Sequence, residues 1–186
     1  MNIKFTIIAV CFAIAMISYF FCYSKKDWRY LAVAMGFTLI SDYFLVIAHN
    51  YRVGVFTFCF VHIAYILRVS ENKTKSIIYI LAIILAGAIL TLFVDDILIA
   101  LAAVYAALFV QNLLTNLCQN HLHNRRIILV GLILFVLCDI NVLMLNLPNF
   151  MNFPKSMANI AHSLIWLFYA PAQVLLAFSA IDFRKM

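Results

Sequence analysis

Long apolar runs alternate with short polar breaks along this chain, and the breaks fall at nearly even intervals. The first run extends from Ile3 to Tyr23 and ends at Lys25, Lys26 and Asp27. The next two extend from about Trp28 to His49 and from about Arg52 to Ser70, before the break Glu71-Asn72-Lys73-Thr74-Lys75. A fourth covers Ser76 to Val94 and stops at Asp95-Asp96, and a fifth covers Ile97 to about Leu117. A loop with His121, His123, Arg125 and Arg126 precedes the sixth, Ile127 to Leu147. The proline-bearing segment Pro148 to Lys155 separates it from the seventh, Ser156 to Ile181, where Pro171 predicts a kink. Each run is about 18–25 residues, enough to cross a hydrocarbon core of roughly 30 Å. The runs are continuous rather than alternating, which favours helices over barrel strands. The pattern predicts an all-α polytopic bundle of about seven transmembrane helices, built as one membrane domain over 1–186.

Composition agrees with this reading. The chain is 67% hydrophobic and 11% charged, with a mean hydropathy of +1.07. A soluble domain carries about 45–50% apolar and about 25% charged residues. The first run has no small-residue cleavage site near its end, so it is expected to be a retained helix and not a signal peptide. The net charge of +6 does not point to nucleic acid, because the basic residues sit in short loops. Lys25, Lys26, Arg29, Arg68, Lys73, Lys75, Arg125, Arg126, Arg184 and Lys185 fall on one side, ten in all. Lys4, Arg52 and Lys155 fall on the other, three in all. Positive residues stay inside, so the N-terminus is expected out and the C-terminus in, with a bacterial cytoplasmic membrane as the expected location. The five cysteines show no CxxC or zinc-ligand spacing and read as small buried hydrophobes.

Two acids interrupt the apolar runs. Asp42 lies 13 residues past Arg29, and Asp139 lies 13 residues past Arg126. At 1.5 Å per residue both sit about 20 Å from the cytosolic edge. His162 and His62 run in from the opposite edge, to depths of about 10 and 15 Å. An ionisable group at such depth costs roughly 2.5–3.5 kcal/mol and usually faces the protein interior. No Lys or Arg stands at that level. Apolar surroundings disfavour a charged carboxylate, and two close carboxyls share a proton. One of them then suits a general acid, and the other a base or a stabiliser of positive charge. Asp42 and Asp139, with His62 beside them, are therefore the candidate catalytic residues. Helical spacing puts His62 and Tyr65 on one face, and Tyr169 and Gln173 on one face. Tyr105, Asn112 and Asn116 form a polar stripe down the fifth helix. Tyr65, Tyr105, Asn112, His162, Tyr169 and Gln173 are expected to meet a substrate's polar atoms, although Asn and Gln in membrane helices often serve only to bond helices together. A weak echo, Asp42 to His62 and Asp139 to His162, hints at duplication. The same acids and histidines would also suit zinc, the one metal this set suggests, though no tight metal motif is present. His121 and His123 offer a second, weaker pair of metal ligands. A proton-coupled or lipid transporter is a further alternative; against it stands the lack of an inverted repeat or of Gly/Pro-broken helix pairs.

Ser41-Asp42-Tyr43-Phe44-Leu45, followed by Gly54, Phe58, His62 and Tyr65, resembles the YhhN family of membrane lysoplasmalogenases. Gly131 to Leu143 resembles that family's second aspartate helix, with Cys138 where a serine usually precedes the acid. Tyr169-Ala-Pro-Ala-Gln173 resembles its Tyr-x-x-x-Gln ending, with Pro171 as a departure. The resemblance implies hydrolysis of the vinyl-ether bond of a lysophospholipid, giving a fatty aldehyde and glycerophospho-ethanolamine or -choline. No cofactor is expected, and no partner beyond the lipid substrate and the bilayer; the oligomeric state stays open.

Overall fold

The computed structural model describes residues 3–119, 124–146 and 154–182. All seven expected spans are helices: α1 (Ile3–Ile17), α2 (Lys25–Asp42), α3 (Tyr51–Val69), α4 (Lys73–Leu90), α5 (Ile97–Cys118), α6 (Arg125–Asn146) and α7 (Lys155–Phe178). Each, with the short extensions on α1 and α2, is long and apolar enough to cross a membrane. The chain is an integral membrane protein. His121, His123, Arg184 and Lys185 lie outside the described residues.

The helix starts follow from local polar chemistry. An N-terminus leaves backbone N–H groups without helical partners, and short polar side chains supply them. Ser24 accepts from Asp27 N, Asn50 from Val53 N, Asn72 from Lys75 N, and Asp96 from Leu98 N. Three of these caps sit in the polar breaks of the sequence. The first helix is shorter than its apolar run. It ends at Ile17 and tightens into a 3₁₀ turn, Ser18–Phe20, where the Ser18 hydroxyl bonds back to Ala15 O at 2.7 Å. The seventh helix runs through Pro171 as one element.

The second helix carries an unexpected feature. Directly after Asp42 it widens into a π-helical segment, Tyr43–Ile47, in which Ala48 N bonds to Tyr43 O at 3.0 Å. Such insertions are rare and recur at functional sites. Two contacts with α3 accompany this one. Ser41 meets the Thr57 hydroxyl at 2.8 Å, and Gly54 packs under the Leu45 side chain. A Cβ at Gly54 would collide with Leu45 and lie 3.4 Å from Ser41 O. Overpacking a tight contact costs about 1–3 kcal/mol. Gly54→Ala is therefore expected to lower thermal stability and push the π segment outward. Denaturation in detergent checks the first effect, and faster hydrogen exchange across Tyr43–Ile47 checks the second.

The helices pack around α3, which is more than half buried, while α4 lies at the periphery. α6 and α7 form one close pair and α2 and α3 another; α5 packs chiefly on α3 and only lightly on α6. The main core joins Ile8, Leu31, Met35, Val61, Phe135 and Leu176 from five helices.

One end of the bundle is clamped by polar contacts. Arg68, at the end of α3, is buried and grips Asp27 with Nε and Nη2 at 2.8 and 2.7 Å. Its Nη1 donates to Ser179 Oγ at 2.7 Å. Asn124 donates to Ile181 O at 2.6 Å from a left-handed backbone (φ 57°), a conformation asparagine tolerates. Together these fix the end of α7 against α2, α3 and the turn before α6.

Candidate functional site

Two aspartates inside one apolar bundle need partners, and each has found a tyrosine. Tyr169 on α7 donates to Asp42 Oδ2 at 2.6 Å, and Tyr105 on α5 donates to Asp139 Oδ2 at 2.6 Å. That is the length of an O–H donor on a carboxylate, stronger than a neutral pair. Arg68, the one buried cation among the described residues, is committed to Asp27 and reaches neither acid. Asp42 is buried at 3% exposure, whereas Asp139 and Tyr105 are half-buried.

The two pairs share one aromatic core. The Phe135 ring lies 5.5 Å from Tyr169 and packs on Phe58, His62 and Phe109. Tyr105 packs edge-on against Phe58 and His62. Cys138, next to Asp139, lies within electrostatic reach of both carboxyls, and Tyr169 within reach of Tyr105. Both acids therefore border one region between α2, α3, α5, α6 and α7.

The α5 stripe sets the hydrogen on His62. Asn116 Nδ2 donates to the Asn112 backbone carbonyl and to Asn112 Oδ1, both at 2.9 Å. A backbone carbonyl only accepts, so this fixes the amide of Asn116, and through it that of Asn112. Asn112 Nδ2 then faces His62 Nδ1 at 3.3 Å and donates to it. The neutral ring consequently carries its hydrogen on Nε2. That atom is buried and has no partner among the described residues, and neither do Nε2 and Oε1 of Gln173. Buried polar atoms are rarely left single, so these mark where a water or ligand oxygen belongs.

Other expected site residues fall elsewhere. The Tyr65 hydroxyl meets Met35 Sδ at 3.6 Å and reaches neither acid, because three residues along α3 carry it a turn toward Arg68. His162 is exposed on α7, two turns from Tyr169, and stands outside the cluster. Asn112 acts on His62 from behind. The alternative zinc set of two aspartates with one or two histidines does not assemble: among the described residues no three His, Cys, Asp or Glu side chains converge. What sequence reasoning missed is that the two tyrosines hold the two acids. The signal was available, since an acid without a basic neighbour requires a neutral donor.

Acids at matching positions on α2 and α6, His62 after Gly54 and Phe58, and Tyr169 with Gln173 are the arrangement the motifs led one to expect. The sequence model of the YhhN family matches residues 2–180. The chain belongs to the YhhN family. No curated protein and no solved structure matches it. In this YhhN protein Tyr169 and Tyr105 carry the two motif aspartates to the aromatic core that includes His62, while the Tyr65 hydroxyl turns to Met35.

Proposed function

We propose that this YhhN protein hydrolyses the vinyl-ether bond of a lysoplasmalogen. The observation that carries the reading is the pair of tyrosine-held aspartates bordering a single buried aromatic core. Hydrolysis needs a proton on the β-carbon of the enol ether, then water at the α-carbon. One aspartic acid donates that proton, and the C=C electrons form the new C–H bond. The resulting oxocarbenium ion is stabilised by the second carboxylate and the surrounding ring faces, as in glycoside cleavage. Water adds to the cationic carbon and loses a proton to that carboxylate. The hemiacetal then collapses: its hydroxyl proton passes to the first aspartate, the C–O bond to glycerol breaks, the second aspartic acid protonates the glycerol oxygen, and the fatty aldehyde leaves.

The remaining groups fit subsidiary parts. Tyr105 and Tyr169 keep each carboxyl aimed with one oxygen engaged and one free. The His62 Nε2–H and the Gln173 amide are donors and acceptors for the water or the ether oxygen. The apolar helices accommodate the alkenyl chain. The distribution of Lys and Arg favours the N-terminus on the outer side, a bacterial cytoplasmic membrane being the expected setting.

The test is aldehyde release from lysoplasmenylethanolamine by the purified protein in vesicles, with and without a chelator. The reading expects stoichiometric aldehyde and glycerophosphoethanolamine in both. Movement of intact lipid without aldehyde would replace it with transport, and loss in chelator would replace it with metal-dependent hydrolysis.

A further inference from the structure

At the end of the bundle opposite the Arg68 clamp, the α2–α3 and α4–α5 turns enclose a polar groove of about 420 Å³. His49, Asn50, Arg52, Asp96 and Leu98 line it. Two of these, Asn50 and Asp96, cap α3 and α5, so both helices begin at the groove. Arg52 Nη2 approaches Asp96 Oδ1 at 3.4 Å, and both side chains are largely exposed, at 65% and 49%. That distance is long for a charge-assisted bond, and an exposed pair of this kind contributes little. Asp96 Oδ1 also serves Leu98 N, while Oδ2 has no bond among the described residues. The groove thus offers one cation and one anion, loosely joined, at the edge of a membrane domain.

The groove shares one face of α5 with the site. Leu98 and Tyr105 are seven residues apart on α5, hence on one face and about 10 Å apart along the axis. Ala102, between them, is small and exposed, and α5 packs only lightly on α6. On α2, His49 and Asn50 follow the π segment that begins after Asp42. In an extended 1-alkenyl-glycerophospholipid, the phosphorus lies roughly 9 Å from the β-carbon of the enol ether, at ordinary bond lengths near 1.5 Å. A lipid whose phosphate lies at the groove therefore presents its enol ether at the depth of Tyr105 and Asp139.

We propose that the groove is a headgroup subsite for a zwitterionic lysophospholipid, with Arg52 taking the phosphate and Asp96 the ammonium. The two side chains exchange each other for a ligand of matching but reversed polarity. A phosphate-only headgroup would gain Arg52 but face Asp96 with like charge, and a neutral glycerol would gain neither. The inference rests on the vinyl-ether reading for the position of the reacting bond, and on the groove alone for the headgroup.

The experiment uses saturated 1-O-alkyl lysolipids, which are not cleaved, with the full-length protein in nanodiscs. Tritiated 1-O-alkyl-glycerophosphoethanolamine is displaced by the unlabelled lipid, by 1-O-alkylglycerol-3-phosphate and by 1-O-alkylglycerol. The wild type is expected to prefer the ethanolamine lipid over alkylglycerol by about tenfold or more, the effect of one charge-assisted bond. Arg52→Gln is expected to bring that preference to within about twofold, and Asp96→Asn to equalise the ethanolamine and phosphate-only lipids. Both exposed variants should keep the wild-type unfolding temperature, which is measured alongside. A wild type indifferent to headgroup, or an Arg52→Gln protein with the full preference, overturns the proposal. A wild type that shows the preference but releases no aldehyde from alkenyl lipids supports the subsite and removes only the catalytic reading.

Discussion

Asp42→Asn is expected to release fatty aldehyde from a lysoplasmenyl lipid about 10²–10⁴-fold more slowly than the wild type, the range a positioned acid or base contributes. Asp139→Asn is expected to fall as far. Asparagine keeps the shape of the side chain, and its carbonyl oxygen still accepts from Tyr169 or Tyr105, so each variant should fold. What it lacks is an acidic proton and a negative charge. Because the two acids act on one reaction, the double variant should lose little beyond either single one. Initial rates of aldehyde formation, with folding checked by thermal denaturation, decide the matter. Wild-type rates in either variant would remove that residue from the chemistry.

Arg68→Met is expected to produce the largest loss of stability. It takes away three hydrogen bonds at once and leaves Asp27 and the Ser179 hydroxyl facing an apolar side chain. Removing one partner of a buried pair costs about 3–5 kcal/mol; Asp27 is partly exposed, so the lower end applies. For a chain of this size the unfolding temperature should drop on the order of 5–10 °C. Arg68→Lys should recover only part of it, because an ammonium does not span both carboxylate oxygens and the serine. A variant that unfolds with the wild type would show that the apolar contacts of α7 hold that end unaided.

The seven spans were legible because a membrane helix must be apolar along its length, and the polar breaks also supply helix caps at Ser24, Asn72 and Asp96. Asp42 and Asp139 stood out for the same reason, each being a costly side chain in an otherwise oily run. Their partners were harder to read. Tyr169 and Tyr105 lie 127 and 34 residues from the acids they hold, and helical spacing assigns a face without naming the helix it meets. Tyr65 shares the His62 face by spacing, yet one turn of rise carries its hydroxyl to Met35. The π segment after Asp42 has no local sequence mark; the contacts that accompany it come from Gly54 and Thr57 of the next helix. Arg68 reads as a loop-side positive charge in the sequence, and only the fold brings Asp27 and Ser179 to it.

The most direct test follows the proton. Purified wild-type protein is given lysoplasmenylethanolamine in D₂O, and the fatty aldehyde is trapped at once and weighed by mass spectrometry. Carbon protonation by an aspartic acid in exchange with solvent predicts one deuterium at C2 of the aldehyde, formed at a rate that both asparagine variants lose. An aldehyde without that deuterium, or one formed equally fast without either acid, would contradict the account.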